Sequence, residues 1–575
     1  MPSRAAWWVA VVLAAAPQQQ APDGRNLLAN PSFEAVDGTH PRDWSAITLP
    51  QFRKSVEFTL DENDAKDGKQ SVRVKNTEPG NLAANSFTQR LEGNAAADLR
   101  GKWLRLSGHV RGKSVTVADA WIQCFDEADR ELARYRCRRY GGLYGTFAWT
   151  AVAAQGEIPK KTKVLVVRCV LTGTGEAWFD NMKLCEIKAV KAADPPKLGE
   201  EEMKLRDALA KFVGGGDKPV AGSFADVEKA VAQGLGPPPW ASGYKKFTFR
   251  ARDHEWTYEM WIPEEARKGG AWPLLLDPGH PKGQDDHKNW VNAGARDLFV
   301  LRANVLDEIA SFDDLKALEG VDRDLCLGDI YAALVRDVGW RVPVDPNRIY
   351  LTGISMTAHA DWLLAALTPD RFAAAAPFSG FPRNFLQMAA NLRGQGWFVV
   401  HGDADTICPV AATRTMVDVL KAEGVDHVYR ELPALGHTDV IVDRGNALEW
   451  MSTRAREPYP KRVSLRLLRS GGGYWIEAVV AAKGVSFDPE KGYKPNASVD
   501  AEIQDNVVTL KAAGATSLKV WLNGKLVDYS KPVKFILNGK EVVKTLAPSM
   551  DVLLERLKST GDAGALYDSA TELIP

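Results

Sequence analysis

The 575-residue sequence has few cysteines, few histidines and no net charge. Lysine plus arginine equals aspartate plus glutamate at 73 each, so no overall field favours nucleic acid or an anionic membrane. Beyond the first residues, no stretch approaches the ~20 consecutive apolar residues that a membrane-spanning helix needs. The 6 cysteines and 9 histidines show no spacing typical of a zinc site. We therefore expect no metal or other cofactor and no nucleic-acid or membrane partner, and the oligomeric state stays open.

The cysteines are too few to define a disulfide scaffold in a chain of this length. Four of them lie in one region and allow three pairings that the sequence leaves open: Cys124, Cys137, Cys169 and Cys185. Cys326 and Cys408 are expected to be isolated buried thiols.

The first 17 residues have the pattern of a cleaved export signal. One arginine, Arg4, precedes an apolar run from Ala5 to Ala16, and this run ends in small residues. It is too short for a permanent membrane helix. We expect a signal peptide over 1–17 and a secreted or periplasmic protein.

The length predicts several domains. The pattern of apolar residues along the chain changes three times. Short alternating apolar runs predict a β-sandwich, or jelly roll, over 26–187, and a helical linker follows over 188–240. Strands alternating with helices predict a doubly wound α/β sheet over 241–457. Alternation returns over 458–575, where a small β-rich accessory domain is expected.

Finer elements follow from local signals. Helices are predicted over 200–213 and 224–233, the second opened by a capping box of Ser223 and Asp226. In the last domain, Asn523-Gly524 and Asn538-Gly539 predict two hairpin turns, and a helix is expected over 549–557.

The ends of the first region carry a resemblance to known modules. Residues 26–34 read NLLANPSFE, residues 41–44 read PRDW and residues 175–181 read GEAWFDN. These segments resemble the jelly-roll carbohydrate-binding modules of the family 4/9/22 group, which implies a sandwich that binds glycans. The region also contains tryptophans that are expected mainly in the core: Trp44, Trp103, Trp121, Trp149 and Trp178.

Candidate sugar-stacking residues in this region are Tyr135 and Tyr140, which alternate with arginines over 134–140. The alternative is a solvated edge strand whose charges prevent further pairing.

The stretch from Arg348 to His359 has the layout of a nucleophile elbow. An apolar strand runs into Gly353, Ser355 occupies the turn, and an alanine- and leucine-rich helix follows. The usual G-x-S-x-G motif would have glycine in place of Thr357. A β-branched residue there has to be accommodated by the turn or by the helix.

Two further segments complete a resemblance to the α/β-hydrolase superfamily over about 244–452. Residues 401–409 read HGDADTICP, similar to the H-G-x-x-D-x-x-V-P of the family, and residues 435–438 read LGHT, similar to its closing G-H. The elbow itself is followed by TPDRF over residues 368–372 before the next strand, similar to secreted esterases of the feruloyl-esterase and polyhydroxybutyrate-depolymerase type. Prolyl-oligopeptidase catalytic domains share the fold and the motif order serine, aspartate, histidine.

The resemblance implies a catalytic triad of Ser355, Asp405 and His437. A serine hydroxyl needs a neutral imidazole to take its proton, and a carboxylate orients that imidazole. Asp403 is the alternative acid. Among the other histidines, His401 is expected to be structural and His359 to line the pocket.

The oxyanion hole is expected to use the backbone N–H of Met356 and one from the turn after Leu274–Leu276. Pro278 and Pro281 have no N–H to donate. His280 is therefore the expected second donor.

The function expected from these features is an exported serine hydrolase that cleaves acetyl or feruloyl esters on polysaccharide through an acyl-serine intermediate. Only residues 381–396 separate two successive strands, which is too little for a helical lid domain, so an open site is expected. Two alternatives remain: a serine peptidase, and a glycan-binding protein on an inactive hydrolase scaffold.

Overall fold

The computed structural model describes residues 24–138, 141–189, 199–216, 223–232, 240–264, 266, 270–279, 290, 295, 297–303, 305–482 and 484–575. The chain divides into two compact units with a boundary near residue 192. The predicted signal peptide lies outside the described residues, as do Tyr140 and His280. No helix in the part of the chain that the structure describes is both long and apolar enough to cross a membrane.

The first unit is built from β-strands around one apolar core. Its strands are β1 (Val36–Asp37), β2 (His40–Pro41), β3 (Ser45–Ile47), β4 (Val56–Asp61), β5 (Ser71–Asn76), β6 (Asn85–Leu91), β7 (Trp103–Phe125), β8 (Glu131–Arg136), β9 (Leu143–Glu157), β10 (Val164–Thr172) and β11 (Gly175–Ile187). They are joined by a short helix, Asn94–Ala97, and a 3₁₀ turn, Pro50–Phe52. The connected sheet runs in the order β3-β6-β10-β7-β11-β5-β4, and β8 and β9 also pair with β7.

Along the first part of β7 one side chain in two is buried, as the sequence pattern predicts. Leu104, Leu106 and Val110 on β7 are buried, and Phe179 and Leu184 on β11 join them in the core. Of the tryptophans, Trp44, Trp121 and Trp178 are buried, whereas Trp103 and Trp149 are half-buried.

The second unit contains an eight-stranded sheet with helices packed against it. Its strands are β12 (Gly243–Ala251), β13 (His254–Ile262), β14 (Trp272–Asp277), β15 (Phe299–Ala303), β16 (Val344–Ile354), β17 (Ala374–Phe378), β18 (Gly396–Gly402) and β19 (His427–Leu432). The order is β12-β13-β15-β14-β16-β17-β18-β19. The pairs β12/β13 and β13/β15 are antiparallel and the others are parallel.

The parallel strands read as continuous apolar runs because both faces of the sheet are covered. The α-helices that follow them are Val305–Glu308, Gly320–Arg341, Met356–Leu367, Ala411–Ala422 and Arg444–Ser452. Three 3₁₀ segments complete this part: Ile309–Ser311, Pro382–Gly394 and Asp439–Asp443. The segment Pro382–Gly394 corresponds to the short connection noted in the sequence. It buries Phe385 and Leu392 and does not form a separate lid domain.

The C-terminal part forms two sheets around a second apolar core. One contains β20 (Arg462–Leu467), β25 (Ala497–Gln504), β26 (Val507–Ala513), β28 (Val533–Leu537) and β29 (Lys540–Lys544). The other contains β21 (Gly471–Gly473), β22 (Ile476–Val480), β27 (Ala515–Leu522) and β30 (Ser569–Leu573), and β23 (Ser486–Asp488) pairs with β24 (Gly492–Lys494). The last helix is Met550–Thr560.

One of the two predicted hairpins is wrong. Asn538-Gly539 does join two paired strands, β28 and β29, as predicted. Asn523-Gly524 instead leaves β27, which pairs with β22 and β30, and leads to β28 in the other sheet. The Asn523 side chain is buried there, and its Nδ2 donates to the carbonyl of Leu566 at 2.7 Å. It therefore anchors a turn that leads from one sheet to the other and does not form a hairpin.

The predicted linker helices are present and pack on the C-terminal helix. They span Glu200–Val213 and Phe224–Ala232. The capping box is confirmed, because the Ser223 N–H donates to Asp226 at 2.8 Å and the Asp226 N–H donates to the Ser223 hydroxyl at 3.2 Å. The apolar faces of these helices meet the last helix in one small cluster that includes Leu209, Phe212, Val227, Leu553 and Leu557. This segment therefore forms part of the second unit.

All six cysteines are free thiols, so none of the three pairings left open by the sequence is formed. Cys326 is buried as expected, while Cys408 is half-buried.

Candidate active site

The elbow at Ser355 has a strained backbone. Ser355 has φ 59° and ψ −121°, a region that non-glycine residues rarely occupy and that persists only where the surroundings enforce it. The turn is fixed on both sides: the Ser355 N–H donates to Phe378 O at 3.0 Å, and the His359 N–H donates to Ser355 O at 3.1 Å. The helix Met356–Leu367 begins at the next residue. The hydroxyl is thereby held at the carboxyl end of β16.

Thr357 is accommodated by its hydroxyl. Thr357 Oγ1 accepts a hydrogen bond from the Ile354 N–H at 2.7 Å and donates one to Ile354 O at 2.9 Å. A Cβ at Gly353 would lie 2.6 Å from this hydroxyl oxygen, so glycine is required at 353 while threonine is tolerated at 357. The off-pattern residue is thus built into the turn and does not displace it.

His437 and Asp405 lie on the loops that follow β19 and β18, at the same edge of the sheet as Ser355. His437 Nδ1 is 2.7 Å from Asp405 Oδ2. The other carboxylate oxygen of Asp405 accepts the N–H groups of Ile407 and Cys408, both at 2.9 Å. The two loops are tied together by the Ala404 N–H, which donates to Leu435 O at 3.2 Å.

These contacts decide the protonation state of Asp405. Burial raises the pKa of the carboxyl, but the hydrogen bonds from His437, Cys408 and Ile407 together outweigh it, and the net pKa is below the ordinary value. Asp405 is therefore ionised at neutral pH. It can hold the ring of His437 with Nδ1 protonated, which leaves Nε2 as an acceptor.

The alternative acid, Asp403, lies elsewhere. Its side chain is exposed, and its Oδ1 accepts the Ala434 N–H at 2.6 Å. The structure brings His437 together with Asp405 and not with Asp403.

Two further histidines lie near the candidate residues. The ring of His401 is buried, with Nε2 2.8 Å from the Cys408 carbonyl and 3.2 Å from Asp405 Oδ2, and with Nδ1 2.9 Å from the Thr413 hydroxyl. Burial lowers the pKa of His401, so it stays neutral and structural, as expected. His359 Nδ1 is 3.2 Å from Phe381 O, and its Nε2 is 3.6 Å from Asp324. It does not line the described wall of the cavity at Ser355, contrary to the expectation from sequence.

The Ser355 side chain lies near the Cys408 thiol. Burial raises the pKa of the Cys408 thiol and Asp405 adds to this, while the hydrogen bond from Ser355 opposes both. Among the described residues, no hydrogen bond joins the Ser355 hydroxyl to the ring of His437. Catalytic hydrogen bonds are often open in ligand-free structures and tighten when substrate binds.

The turn after β14 lies beside Ser355 and contains the other candidate backbone donors for the oxyanion hole. The Gly279 N–H donates to Asp277 Oδ1 at 3.1 Å and is therefore engaged, and Pro278 has no N–H. The Met356 N–H lies at the start of its helix, where backbone donors have no partner within the helix. The proposed second donor, His280, lies outside the described residues.

A cavity of about 350 Å³ opens beside Ser355. Its wall includes Asp277, Trp290, Arg302, Met356 and Arg444. The sequence reasoning missed the tryptophan and the two arginines. Arg302 had one available signal, since it directly follows the apolar run of β15, where ligands of parallel sheets bind. Arg444 and Trp290 had none.

In the first unit, Tyr135 is already packed on one side. Its ring lies over Gly156, so that a Cβ there would clash with it, and its hydroxyl donates to Glu157 O. Next to it, the guanidinium groups of Arg134 and Arg136 stack on the ring of Trp121, at 4.6 and 5.4 Å. No group of three or more potential metal ligands occurs among the described residues.

Comparison with known proteins gives only distant likenesses. No protein-family model matches the chain, and the comparison with curated proteins gave no match. Among solved structures, a thermostable esterase is 14% identical with a TM-score of 0.31, over 60% of this chain and 95% of its own. A ferulic acid esterase is 16% identical with a TM-score of 0.29, over 37% of this chain and 96% of its own. The CBM22-1 xylan-binding domain of Paenibacillus barcinonensis Xyn10C is 20% identical with a TM-score of 0.21, over 29% of this chain and 97% of its own. The fold assignment rests on strand order and register, and not on these scores.

Proposed function

We propose that this protein is a serine hydrolase that cleaves carboxylic esters, with Ser355 as nucleophile, His437 as general base and Asp405 as its orienting acid. The observation that carries the proposal is the strained elbow of Ser355 at the same sheet edge as the His437–Asp405 pair, whose atoms are 2.7 Å apart. A backbone strain of this kind is costly and is typical of functional sites.

The reaction would begin when the Ser355 hydroxyl forms a hydrogen bond to His437 Nε2. His437 Nε2 takes the hydroxyl proton while Oγ attacks the ester carbonyl, and the carbonyl oxygen becomes an oxyanion. The N–H of Met356 would stabilise this oxyanion, together with the N–H of His280. His437 then gives its proton to the leaving alcohol, and the acyl group remains on Ser355.

Water completes the cycle. His437 takes a proton from water, the hydroxide attacks the acyl-serine, and the acid product leaves as the proton returns to Ser355. Throughout, Asp405 stays ionised and stabilises the protonated imidazole, and its lowered pKa suits this role. These reaction steps use only groups of the protein and water, so we propose that no cofactor takes part.

We propose that the substrate is a polysaccharide or oligosaccharide that carries acetyl or feruloyl esters. We also propose that the enzyme is exported. The first unit would bind the glycan through Tyr135 and Tyr140. One face of Tyr135 is packed, so the other face would carry the sugar contact. The equal numbers of acidic and basic residues give no support to a nucleic-acid or membrane partner.

The test is a comparison of substrates between the protein and its Ser355→Ala variant. Aryl acetates, feruloyl esters and prolyl-peptide amides are supplied separately, and kcat/KM is measured for each. We expect ester cleavage that the alanine variant loses and no cleavage of amides. Cleavage of the amides alone would make the protein a peptidase. Absence of any turnover, combined with retained binding of xylan or another glycan, would indicate an inactive binding protein.

A further inference from the structure

The carboxylate of Asp405 lies between two histidines. Its Oδ2 is 2.7 Å from His437 Nδ1 and 3.2 Å from His401 Nε2. The other oxygen, Oδ1, accepts the backbone N–H groups of Ile407 and Cys408. The side chains of Asp405 and His401 are completely buried, whereas that of His437 is 11% exposed. His401 therefore contacts the carboxylate from the protein interior, and His437 is the histidine that a substrate can reach.

The surroundings of His401 decide which of its ring nitrogens carries the proton. Nε2 is 2.8 Å from the Cys408 carbonyl oxygen and 3.2 Å from the Asp405 carboxylate, which is ionised. Both oxygens can only accept hydrogen bonds. Burial lowers the pKa of His401, so the ring is neutral and has a single N–H. That N–H is therefore on Nε2.

The other ring nitrogen is held by Thr413, on the helix Ala411–Ala422. The Thr413 hydroxyl oxygen is 2.9 Å from His401 Nδ1, and the threonine is buried. Because Nδ1 has no proton, the hydroxyl must donate to it. The Gly380 carbonyl, 3.5 Å from the same hydroxyl, is a poorer acceptor at that distance. Thr413 therefore fixes the tautomer in which His401 donates through Nε2.

His401 acts on the loop of Asp405 in two ways. Its N–H binds the carbonyl of Cys408, the residue whose own N–H donates to Asp405 Oδ1. The same N–H places a partial positive charge 3.2 Å from Oδ2, the oxygen that binds His437. Both effects stabilise the ionised carboxylate and restrict its rotation. An oriented and ionised Asp405 keeps His437 in the tautomer that can accept the serine proton.

We propose that His401 is a positioning residue of the triad: in the tautomer set by Thr413, its Nε2–H orients Asp405 and, through it, His437. His401 takes no part in proton transfer, because its ring is buried and both nitrogens are already engaged. This role rests on the proposed function and extends its machinery inward from the three triad side chains to His401 and Thr413.

A double-mutant cycle with Asp405 tests whether His401 acts through the carboxylate. Acylation by 4-nitrophenyl acetate is followed in single turnovers with enzyme in excess. His401→Leu removes the donor, so the acylation rate constant should fall by about 10- to 100-fold, the value of a hydrogen bond to a charged group, with half-saturation changed by less than about 2-fold. In an Asp405→Asn background the same change should cost less than about 3-fold, because the carboxylate is gone. His401→Gln, whose amide can donate from nearly the position of Nε2, should recover most of the rate.

Thr413 offers a milder pair of variants for the case in which His401→Leu does not fold. Thr413→Val removes the hydroxyl that fixes the tautomer and should lower the acylation rate constant by about 3- to 10-fold, the value of a neutral hydrogen bond. Thr413→Ser keeps the hydroxyl and should match the wild type. The control is His427→Leu, which should also match it, since the ring of this histidine on β19 contacts the Val425 carbonyl, at 2.8 Å.

The possible outcomes separate this role from the proposed function. Equal losses for His401→Leu in the two backgrounds would overturn the positioning role and leave the proposed function standing. Equal rate constants for Thr413→Val and the wild-type protein would do the same. Absence of acylation in the wild-type protein would overturn the proposed function, and the positioning role with it.

Discussion

The Thr357 hydroxyl bridges both backbone polar groups of Ile354, with its oxygen 2.7 Å from the amide nitrogen and 2.9 Å from the carbonyl oxygen. The side chain that breaks the G-x-S-x-G pattern therefore closes the turn beneath Ser355. Thr357 stands where the usual motif has glycine, and its hydroxyl makes two hydrogen bonds to Ile354. The strained backbone conformation of Ser355 is kept.

Removing only this hydroxyl should loosen the elbow. Thr357→Val has nearly the same shape but leaves the Ile354 N–H without its partner, so we expect a loss of about 1–3 kcal/mol in the free energy of unfolding. A fall in kcat should accompany it. Thr357→Ser keeps the hydroxyl and serves as the matched control. Urea denaturation and ester kinetics measure both effects, and equal behaviour of the valine and wild-type proteins would contradict this role.

The acid of the proposed triad can be identified by a pair of conservative changes. Asp405→Asn keeps the size of the side chain but cannot hold His437 in the same tautomer, so kcat should fall by about 10⁴-fold, as in serine proteases. Asp403→Asn removes only the charge of an exposed side chain, whose oxygen can still accept the Ala434 N–H, and should leave kcat close to that of the wild type. Steady-state kinetics on one aryl ester is sufficient. A larger loss in the Asp403 variant would reverse the assignment.

Asp361, on the helix that follows Ser355, should make the protein less stable at neutral pH. Its carboxyl is fully buried. Burial raises its pKa well above 3.8, the nearby charge of Asp277 adds to this, and the Gly353 backbone amide opposes it. Folding therefore takes up a proton above pH 3.8, and stability falls as the pH rises through this range.

We therefore expect Asp361→Asn to raise Tm at pH 7, by about 2 °C or more. At pH 3 the gain should be small, because the aspartate is then largely protonated in the unfolded chain as well. Calorimetry at both pH values tests this. A gain of equal size at the two pH values would show that charge is not the cause.

The C-terminal part is joined to the α/β part by a buried ion pair. Arg456 donates to both oxygens of Asp562, at 2.7 and 2.8 Å, and Arg371 lies 3.3 Å from the same carboxylate. Burial raises the pKa of Asp562, but the two arginines outweigh it and lower the pKa to about 2. The pair therefore stabilises the fold above pH 3.8 and loses this contribution as the pH falls towards 2.

Asp562→Ala should destabilise the protein by about 3–5 kcal/mol at pH 7, since it leaves the guanidinium of Arg456 buried without its partner. The control is Glu502→Ala, which removes a surface ion pair with Arg462 and should change stability by about 1 kcal/mol or less. Chemical denaturation of both variants decides the point. Similar losses in the two would show that burial adds nothing to the Asp562 pair.

The elements that the sequence predicted well are those set by local pattern. The elbow strand, turn and helix follow one another within about 25 residues, so apolar runs and one glycine are enough to place them. The hairpin at Asn538-Gly539 is local in the same sense. Asn523-Gly524 has the same residues but a different outcome, because the strand before it pairs with β22 and β30, which are distant in sequence.

The same distinction separates the parts of the candidate site. Ser355, Asp405 and His437 each lie directly after a strand of a parallel sheet, and a sequence reading can place such positions at one edge. The neighbourhood of Arg302 and Arg444 depends on sheet register and on the packing of a late helix. Sheet register and helix packing cannot be predicted from the spacing of these residues in the sequence. The role of Thr357 depends on a side-chain rotamer and is visible only in three dimensions.

The most direct test of the central claim is covalent labelling of Ser355. The protein and its Ser355→Ala variant are treated with a fluorophosphonate, and intact mass and peptide mapping locate the adduct. We expect one adduct per chain on Ser355 in the wild-type protein and none in the alanine variant. An adduct that persists in the alanine variant, or no adduct on the wild-type protein, would contradict the assignment of Ser355 as an activated nucleophile.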